Sequence, residues 1–317
     1  MGRLKIFITG LSGLLGKALC YEGRDKFNIY GTYFKKDIRC ANVSSYKVDI
    51  RDKKSLDDLI LSIKPDIAIH TAAITDVDFC EQDKESAYEI NVNGSRNVLD
   101  AIKKLSGKFI YISSDYVFDG NKGYYKEEDI PNPLNYYGLT KLKGEILSLE
   151  YDKSLIIRTS IYGFNPKGTK EGIEGIIKNV REGLIIQAPF DMYNSIISVN
   201  MLSKIIYRLI SENVKGICHI GTKGRISRYE FMEKLFSIFD LPKRNLVPIE
   251  FKNYQIKKIA RRPQDVSLNT NKLTNDFKII TTTIEDDLNA LYKISSSYFA
   301  YFGGEQYVSK DLWCYKA

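Results

Sequence analysis

Over its first 160 residues the chain alternates short β-rich apolar runs with longer stretches whose apolar positions recur every three or four residues. The runs are Leu4–Thr9, Ile29–Tyr33, Tyr46–Ile50, Asp66–His70, Lys108–Ser113 and Leu155–Arg158. Between them lie the helix-like segments Ser55–Ile63, Ser86–Leu105 and Tyr136–Leu149. Strands that alternate with helices of this length imply right-handed crossovers and a parallel sheet covered on both faces. The predicted class is α/β, a Rossmann-like doubly wound parallel sheet.

After Gly163 the pattern changes. Gly172–Arg181 and Met201–Ser211 read as helices, and Gly216–Ile220 reads as a strand. Ser227-Arg228-Tyr229-Glu230 is a capping box that opens a helix to about Phe239, and Thr283-Ile284-Glu285-Asp286 opens another. The division expected is a sheet-forming unit over residues 1–163 and a smaller lobe, interleaved with the sheet, over 164–292. Residues 293–317 form a tail with seven aromatics, no clear period and no assigned role.

Composition removes several classes. The chain has 317 residues, 44% hydrophobic and 27% charged, as in soluble globular proteins. No stretch approaches the ~20 apolar residues that span a bilayer. Met1-Gly2-Arg3-Leu4-Lys5 runs straight into a strand with no secretory h-region, which predicts a cytoplasmic protein. Cys20, Cys40, Cys80, Cys218 and Cys314 are scattered and lack a CxxC pair, so they read as free thiols. With only His70 and His219, far apart, no metal site is expected. The net charge of +8 suits anionic ligands or nucleic acid. It gathers between Lys243 and Arg262, where seven basic residues face the single acid Glu250. No nucleic-acid module accompanies it, and the aromatics do not alternate with the basic residues.

Thr9-Gly10-Leu11-Ser12-Gly13-Leu14-Leu15-Gly16 follows the first strand and opens a helix. Glycines there let the chain turn sharply, let backbone N–H groups approach a pyrophosphate, and let the helix pack on the sheet. Gly10, Ser12, Gly13, Leu14 and Gly16 are therefore expected to hold a dinucleotide. The second strand leads into Lys35 and Lys36, with Arg39 beyond, and has no acid at its tip. An acid there would bind the ribose hydroxyls of NAD; lysines attract a 2′-phosphate instead, which favours NADP(H) over NAD(H). Asp49 and Ile50 stand where an adenine-edge contact is expected. Ala72 and Ala73, after the fourth strand, are small enough for a dinucleotide to lie against the backbone.

Tyr137-Gly138-Leu139-Thr140-Lys141 places a tyrosine and a lysine four apart, on one helical face. A phenol of pKa ~10 is a poor acid–base group at neutral pH, and an ammonium one turn away is expected to lower it and to hold a ribose hydroxyl. Tyr111–Phe118 is an apolar run ending in Ser113 and Ser114, at the sheet edge where ligands bind in such folds. A serine hydroxyl there can hydrogen-bond a substrate carbonyl.

The TGxxGxxG turn, the Ser113–Gly120 stretch and Tyr137xxxLys141 together resemble an extended short-chain dehydrogenase/reductase. More narrowly the chain resembles the dTDP-4-dehydrorhamnose reductase family, on Ser113–Gly120, Arg158–Gly163, Ser227–Phe231, Ala260–Pro263 and Leu268–Leu273. The resemblance covers about residues 3–291. It implies that Ser114 polarises a keto group, that Tyr137 donates a proton, and that Lys141 is its partner and ribose anchor. It further implies that Thr75, Val77 and Asp115 face a sugar and that Arg262 lies near the nucleotide diphosphate of the substrate. The expected activity is NADPH-dependent reduction of the C4 keto group of a nucleotide-activated 4-keto-6-deoxysugar, giving a product such as dTDP-L-rhamnose for polysaccharide. The expected partner is that nucleotide sugar, with no nucleic acid or membrane, and a homodimer is allowed. Two departures bear on the sugar. Ile161 stands alone where the family usually has a tryptophan and one more residue, and Asn194–Ser198 lacks the usual proline. Two rivals share the fold: a nucleotide-sugar epimerase or dehydratase, and a non-catalytic NADP-binding subunit resembling that of methionine adenosyltransferase.

Overall fold

The computed structural model describes residues 2–38, 40–166 and 172–302; Arg39, Cys314 and the tail beyond residue 302 lie outside the described residues. The strands are β1 (Lys5–Thr9), β2 (Asn28–Tyr33), β3 (Val43–Lys47), β4 (Ile67–His70), β5 (Lys108–Ile112) and β6 (Ser154–Tyr162). After them come β7 (Ile186–Pro189), β8 (Tyr193–Asn194), β9 (Ile196–Ser198), β10 (Gly216–Ile220), β11 (Ile226–Ser227) and β12 (Leu246–Ile249). The helices begin with α1 (Leu14–Gly23), α2 (Lys53–Ile63), α3 (Val77–Gln82), α4 (Lys84–Tyr88), α5 (Gly94–Lys104) and α6 (Tyr136–Leu149). They continue with α7 (Ile173–Arg181), α8 (Val199–Ser211), α9 (Arg228–Ile238), α10 (Phe251–Ile256), α11 (Asn271–Phe277) and α12 (Ile284–Tyr301).

The main sheet runs β3-β2-β1-β4-β5-β6-β10, every neighbouring pair parallel. The fold is thus the doubly wound α/β sheet expected. Both faces are covered, and the strand pleat sorts the residues between them. Ile6, Ile8, Ile69, Ile110 and Ile157 enter one core with residues of α1, α8 and α12. Phe7, Ala68, Phe109, Tyr111 and Ile156 enter the other, with Leu56 and Ile60 of α2 and Val98, Leu99 and Ile102 of α5. The order reverses between β1 and β4, so the chain leaves those neighbours in opposite directions and a crevice opens at their C-terminal ends.

Three boundaries differ from the pattern reading. The third strand is Val43–Lys47 rather than Tyr46–Ile50. As an edge strand it is largely exposed and carries no apolar signal, while the buried Ile50 lies beyond it and packs at Gly94. The helix read over Ser86–Leu105 is broken into α4, a π-helical turn at Glu89–Asn93, and α5. β6 runs on to Tyr162 because β9 pairs with its outer half, Ser160 opposite Ile196 and Tyr162 opposite Ser198.

The smaller elements join β7 to β12 in parallel and β8 to β11 antiparallel, with α9 opened by the Ser227–Glu230 capping box. Helix α12 begins at the Thr283 cap and extends into the aromatic stretch. Leu288, Leu291, Tyr298 and Phe299 are buried on the core, with edge-on ring contacts from Tyr298 to Tyr21 and from Phe299 to Phe164. Among the described residues no helix is long and apolar enough to cross a membrane.

Asp287 fastens α12 to the sheet. Its buried carboxylate accepts the Tyr162 hydroxyl at 2.9 Å and both the amide and hydroxyl of Ser198 at 2.6 Å. Asp287→Ala leaves three buried donors unpaired and is expected to cost roughly 2–4 kcal/mol. Urea unfolding against the parent protein checks this; a loss under about 0.5 kcal/mol would contradict the assigned role.

Candidate active site

The glycine turn sits in the crevice between β1 and β4. Gly10 has φ +71°, and a Cβ there would lie 3.0 Å from the backbone N and Cα of Ala72. Only glycine serves both the turn and the close approach. Gly13 caps α1 with extended backbone and no side-chain hydrogen bond, and no acid stands in the first turn. The helix therefore presents uncapped N–H groups and the positive end of its dipole to the crevice.

From the same crevice a chain of buried hydrogen bonds runs toward α6. The Thr9 hydroxyl pairs with His70 Nδ1 at 2.7 Å, and His70 Nε2 pairs with Ser95 Oγ at 2.9 Å. Ser95 donates to the Asn91 carbonyl at 2.6 Å, so its oxygen must accept from the ring and His70 carries its proton on Nε2. Burial, helped by the Lys141 charge, pushes His70 down to about 3, so the ring is neutral. The Asn91 side chain lies in the π turn. It clamps Ile74, accepting its N–H at 2.8 Å and donating to its carbonyl at 3.0 Å. Its Nδ2 also donates to Thr140 Oγ1 at 3.0 Å, and Thr140 donates to the Tyr137 carbonyl at 2.7 Å. A π turn offers a side chain where a regular helix would hide it.

Ser113 extends the β5 ladder by one step, its amide on the Ile157 carbonyl at 2.7 Å, and delivers Ser114 to the sheet edge. Ser114 donates to Asp115 Oδ1 at 3.1 Å and accepts the Tyr116 amide at 3.2 Å. Across from it, Asn135 caps α6, accepting the Gly138 amide at 2.9 Å and donating to the Arg261 carbonyl at 2.8 Å. That cap aims the first turn of α6, and the Tyr137 phenol comes near enough to the Ser114 hydroxyl to feel it. Lys141 follows one turn on, nearly buried, its Nζ 4.3 Å from the centre of the Tyr111 ring.

Burial sets the electrostatics here. It carries Tyr137 above the usual phenol range, only partly opposed by the Ser114 hydroxyl. The lowering of Tyr137 by Lys141 expected from their spacing is not found: the groups acting on Tyr137 besides burial are Ser114, Asp115 and Cys80, and Lys141 lies on the Tyr111 ring. Burial brings Lys141 down to about 7, against an upward pull from Glu145 and then Cys80. It raises Asp115 to about 7, against the Ser114 hydrogen bond and the nearby Ser160 hydroxyl, and leaves Asp115 Oδ2 buried and unpaired.

The other expected residues divide. Ala72 and Ala73 line the crevice half-buried, Ser12 lies in the turn and Leu14 opens α1. Lys35 and Lys36 are exposed just past β2. The Asp49 carboxylate is held by Arg51 at 2.6 Å, which keeps it below the usual carboxylate range, and Ile50 is buried. Thr75 is exposed and Val77 opens α3. Arg262 is nearly buried, its guanidinium 3.0 Å from Asp78 of α3 and 3.0 Å from the Ala260 carbonyl. Asp78 also accepts the Ala260 amide, so this pair joins α3 to the basic segment. Arg228 donates to the Tyr254 hydroxyl at 2.9 Å, and both it and Arg262 act electrostatically on Tyr116, whose ring lies edge-on to Tyr137. Sequence reading passed over Arg228, Tyr254 and Asn91. Only Asn91 carried a signal, an Asn-Val-Asn-Gly run inside a helical stretch.

Residues 4–296 match the family described as RmlD substrate binding domain. The chain belongs to that family. A hypothetical dTDP-4-dehydrorhamnose reductase from Sulfolobus tokodaii is 39% identical with a TM-score of 0.77, over 88% of this chain and 96% of that one. The dTDP-4-dehydrorhamnose reductase of Bacillus anthracis, solved in complex with NADP, is 29% identical with a TM-score of 0.81, over 92% and 99%. Methionine adenosyltransferase 2 subunit beta of Bos taurus is 28% identical over 278 residues, 85% of this chain and 81% of that protein. The motif resemblance to the extended short-chain dehydrogenase/reductases and to the dTDP-4-dehydrorhamnose reductases agrees with this family.

Because the buried Asn91 side chain clamps both backbone groups of Ile74 and bonds to Thr140 of α6, Asn91→Ala is expected to destabilise the RmlD-family fold by roughly 2–3 kcal/mol. Asn93→Ala, two residues on and bonded to the exposed Glu89 side chain, is expected to stay within about 0.5 kcal/mol. Equal thermal melts for the two variants would refute the clamp.

Proposed function

We propose that this protein catalyses NADPH-dependent reduction of the C4 keto group of a nucleotide-activated 4-keto-6-deoxysugar, a step toward a deoxysugar nucleotide such as dTDP-L-rhamnose. The observation that carries the reading is the convergence at the C-terminal sheet edge of Ser114 and Tyr137, near enough for the serine hydroxyl to act on the phenol, with Lys141 one helical turn away. The cofactor fits what the crevice offers: a cradle that a Cβ at Gly10 would fill, facing an uncapped helix N-terminus. Gly10, Ser12, Gly13, Leu14 and Gly16 would hold the diphosphate, Ala72 and Ala73 the neighbouring backbone approach, and Asp49 and Ile50 the adenine side. Lys35 and Lys36 would take a 2′-phosphate. When bound, NADPH supplies the hydride.

The residues of the chain do the rest. Burial keeps Tyr137 protonated across the physiological range, which suits a group that must give up a proton to the developing C4 alkoxide. Ser114 donates a hydrogen bond to the same oxygen and shares its charge. Lys141, in its ammonium form, would reach a ribose hydroxyl one helical turn from Tyr137. Asp115 and Val77 would orient the sugar, Thr75 would close its edge, and Arg262 would approach the diphosphate once released from Asp78.

The likeness to the methionine adenosyltransferase beta subunits supports a second reading, a dinucleotide-binding subunit without turnover. The retained Ser114, Tyr137 and Lys141 favour catalysis. Purified protein with NADPH should consume a 4-keto-6-deoxyhexose carried on dTDP or another nucleotide, followed by loss of NADPH absorbance. Tyr137→Phe should then lower kcat by roughly 10²–10⁴ while NADPH affinity changes less than about threefold. Tight NADPH binding with no consumption of any sugar in the panel would decide for the subunit reading.

A further inference from the structure

One turn beyond Lys141 on the same face of α6 stands Glu145, which is 1% exposed and serves two elements at once. Its Oε1 accepts the Ser113 hydroxyl at 2.5 Å, at the strand end that delivers Ser114. Its two oxygens also take a forked ion pair from Arg158 of β6, Nε at 3.0 Å and Nη2 at 2.7 Å. Arg158, 2% exposed, is itself committed on its far side: Nη1 approaches His219 Nε2 at 3.3 Å and the Glu127 carbonyl at 3.4 Å, and the guanidinium lies 5.0 Å from the Phe118 ring. His219 donates from Nδ1 to the Tyr125 carbonyl at 3.0 Å, so its Nε2 accepts. A fully buried ion pair is a poor source of stability compared with apolar packing, so its placement beside the reactive groups calls for another reason.

That reason lies in what surrounds Lys141. The Tyr111 ring of β5 faces it, His70 of β4 acts on it, and so do Cys80 of α3 and Glu145 of its own helix. Burial keeps Tyr111, Tyr137 and Cys80 protonated, and His70 is neutral. Among these groups Glu145 alone is an anion. The far side of Arg158 is taken up by His219 and the Glu127 carbonyl, and Arg158 is not among the groups acting on Lys141, so the pair presents its negative end to Lys141.

We propose that Glu145 is a positioning residue for the reductase site: a single carboxylate braces the strand end carrying Ser114 and supplies the counter-charge that keeps the buried Lys141 ammonium protonated. The role in catalysis rests on the reading of Ser114, Tyr137 and Lys141 above. The effect on Lys141 does not, and it is read without substrate.

In protein labelled with ¹⁵N-lysine, the Lys141 side-chain signal is assigned by its loss in Lys141→Met and followed by NMR as pH is raised. Removing an anion near an ammonium destabilises its charged form, so the midpoint must fall. Glu145→Gln keeps the shape and is expected to lower it by about one pH unit or more. Because that variant leaves Arg158 buried without its partner and can fail to fold, Glu145→Gln/Arg158→Met removes both charges and is expected to lower the midpoint as well. Ser113→Ala takes away the brace but leaves the charge, and its midpoint should stay within about 0.2 units. In an active preparation the alkaline limb of kcat should move to lower pH with the midpoint. A Lys141 midpoint unchanged in the double variant would overturn the proposal, leaving the pair a packing element. If Lys141 shifts as expected but no keto-sugar is reduced, the electrostatic role stands and the reductase reading falls.

Discussion

Everything at this site depends on two neighbouring parallel strands, β1 and β4, from which the chain departs in opposite directions. No connection can cross between their C-terminal ends, so a crevice forms there, and the polar groups at its floor must find partners within the protein. Thr9 and His70 end those strands side by side and bond to each other at 2.7 Å. The residues that follow, Gly10 and Ala72, approach so closely that a Cβ at position 10 would press on the neighbouring backbone. The relay from Thr9 through His70, Ser95 and Asn91 to Thr140 then carries the register of the crevice to α6. A helix that shares no strand pairing with β1 is thus held at a fixed distance from the glycine turn.

The second theme is desolvation. Lys141, Asp115, Glu145 and Arg158 are all withdrawn from water on or beside the edge of one sheet. Such burial is unfavourable for each charge taken alone, and a folded protein tolerates it only with close partners. Here it moves the titrating groups in opposite directions, Asp115 and the Tyr137 and Tyr111 phenols up and Lys141 down, so that Lys141 and Asp115 both come to about 7. Groups poised near neutrality change charge at little cost, which is what proton transfer requires and what a structural ion pair does not.

Much of this was legible in the chain because the buried strands are short, continuous apolar runs and the helices between them keep one periodic face. β1, β4, β5 and α6 are plain for that reason, and the glycine turn is plain because its residue types are forced by backbone geometry. β3 escaped because an edge strand open to solvent need not be apolar: Val43–Lys47 alternates partly buried and exposed positions with two serines and a lysine. The π turn escaped because an inserted residue leaves the apolar spacing on either side intact. Glu145 and Asn91 escaped for a deeper reason. A polar residue on a helix reads as solvated face, and only the fold shows that its partners, Arg158 and Ser113 or Ile74 and Thr140, arrive from elsewhere in the chain.

Charge shows the same limit. Counted along the chain, the seven basic residues between Lys243 and Arg262 look like a reservoir for phosphate. In the fold several are already occupied. Arg262 is neutralised by Asp78, Lys252 by Glu250 at 2.5 Å, Lys257 hydrogen-bonds Gln187 at 2.5 Å, and Lys258 lies 4.8 Å from the Tyr254 ring centre. These contacts hold α10 and its flanking loops to β7, to α3 and to one another. Arg262 meets both Asp78 and the Ala260 carbonyl through Nη1. The Arg262–Asp78 pair thus fastens the basic segment to α3, a tie that net charge alone would not reveal.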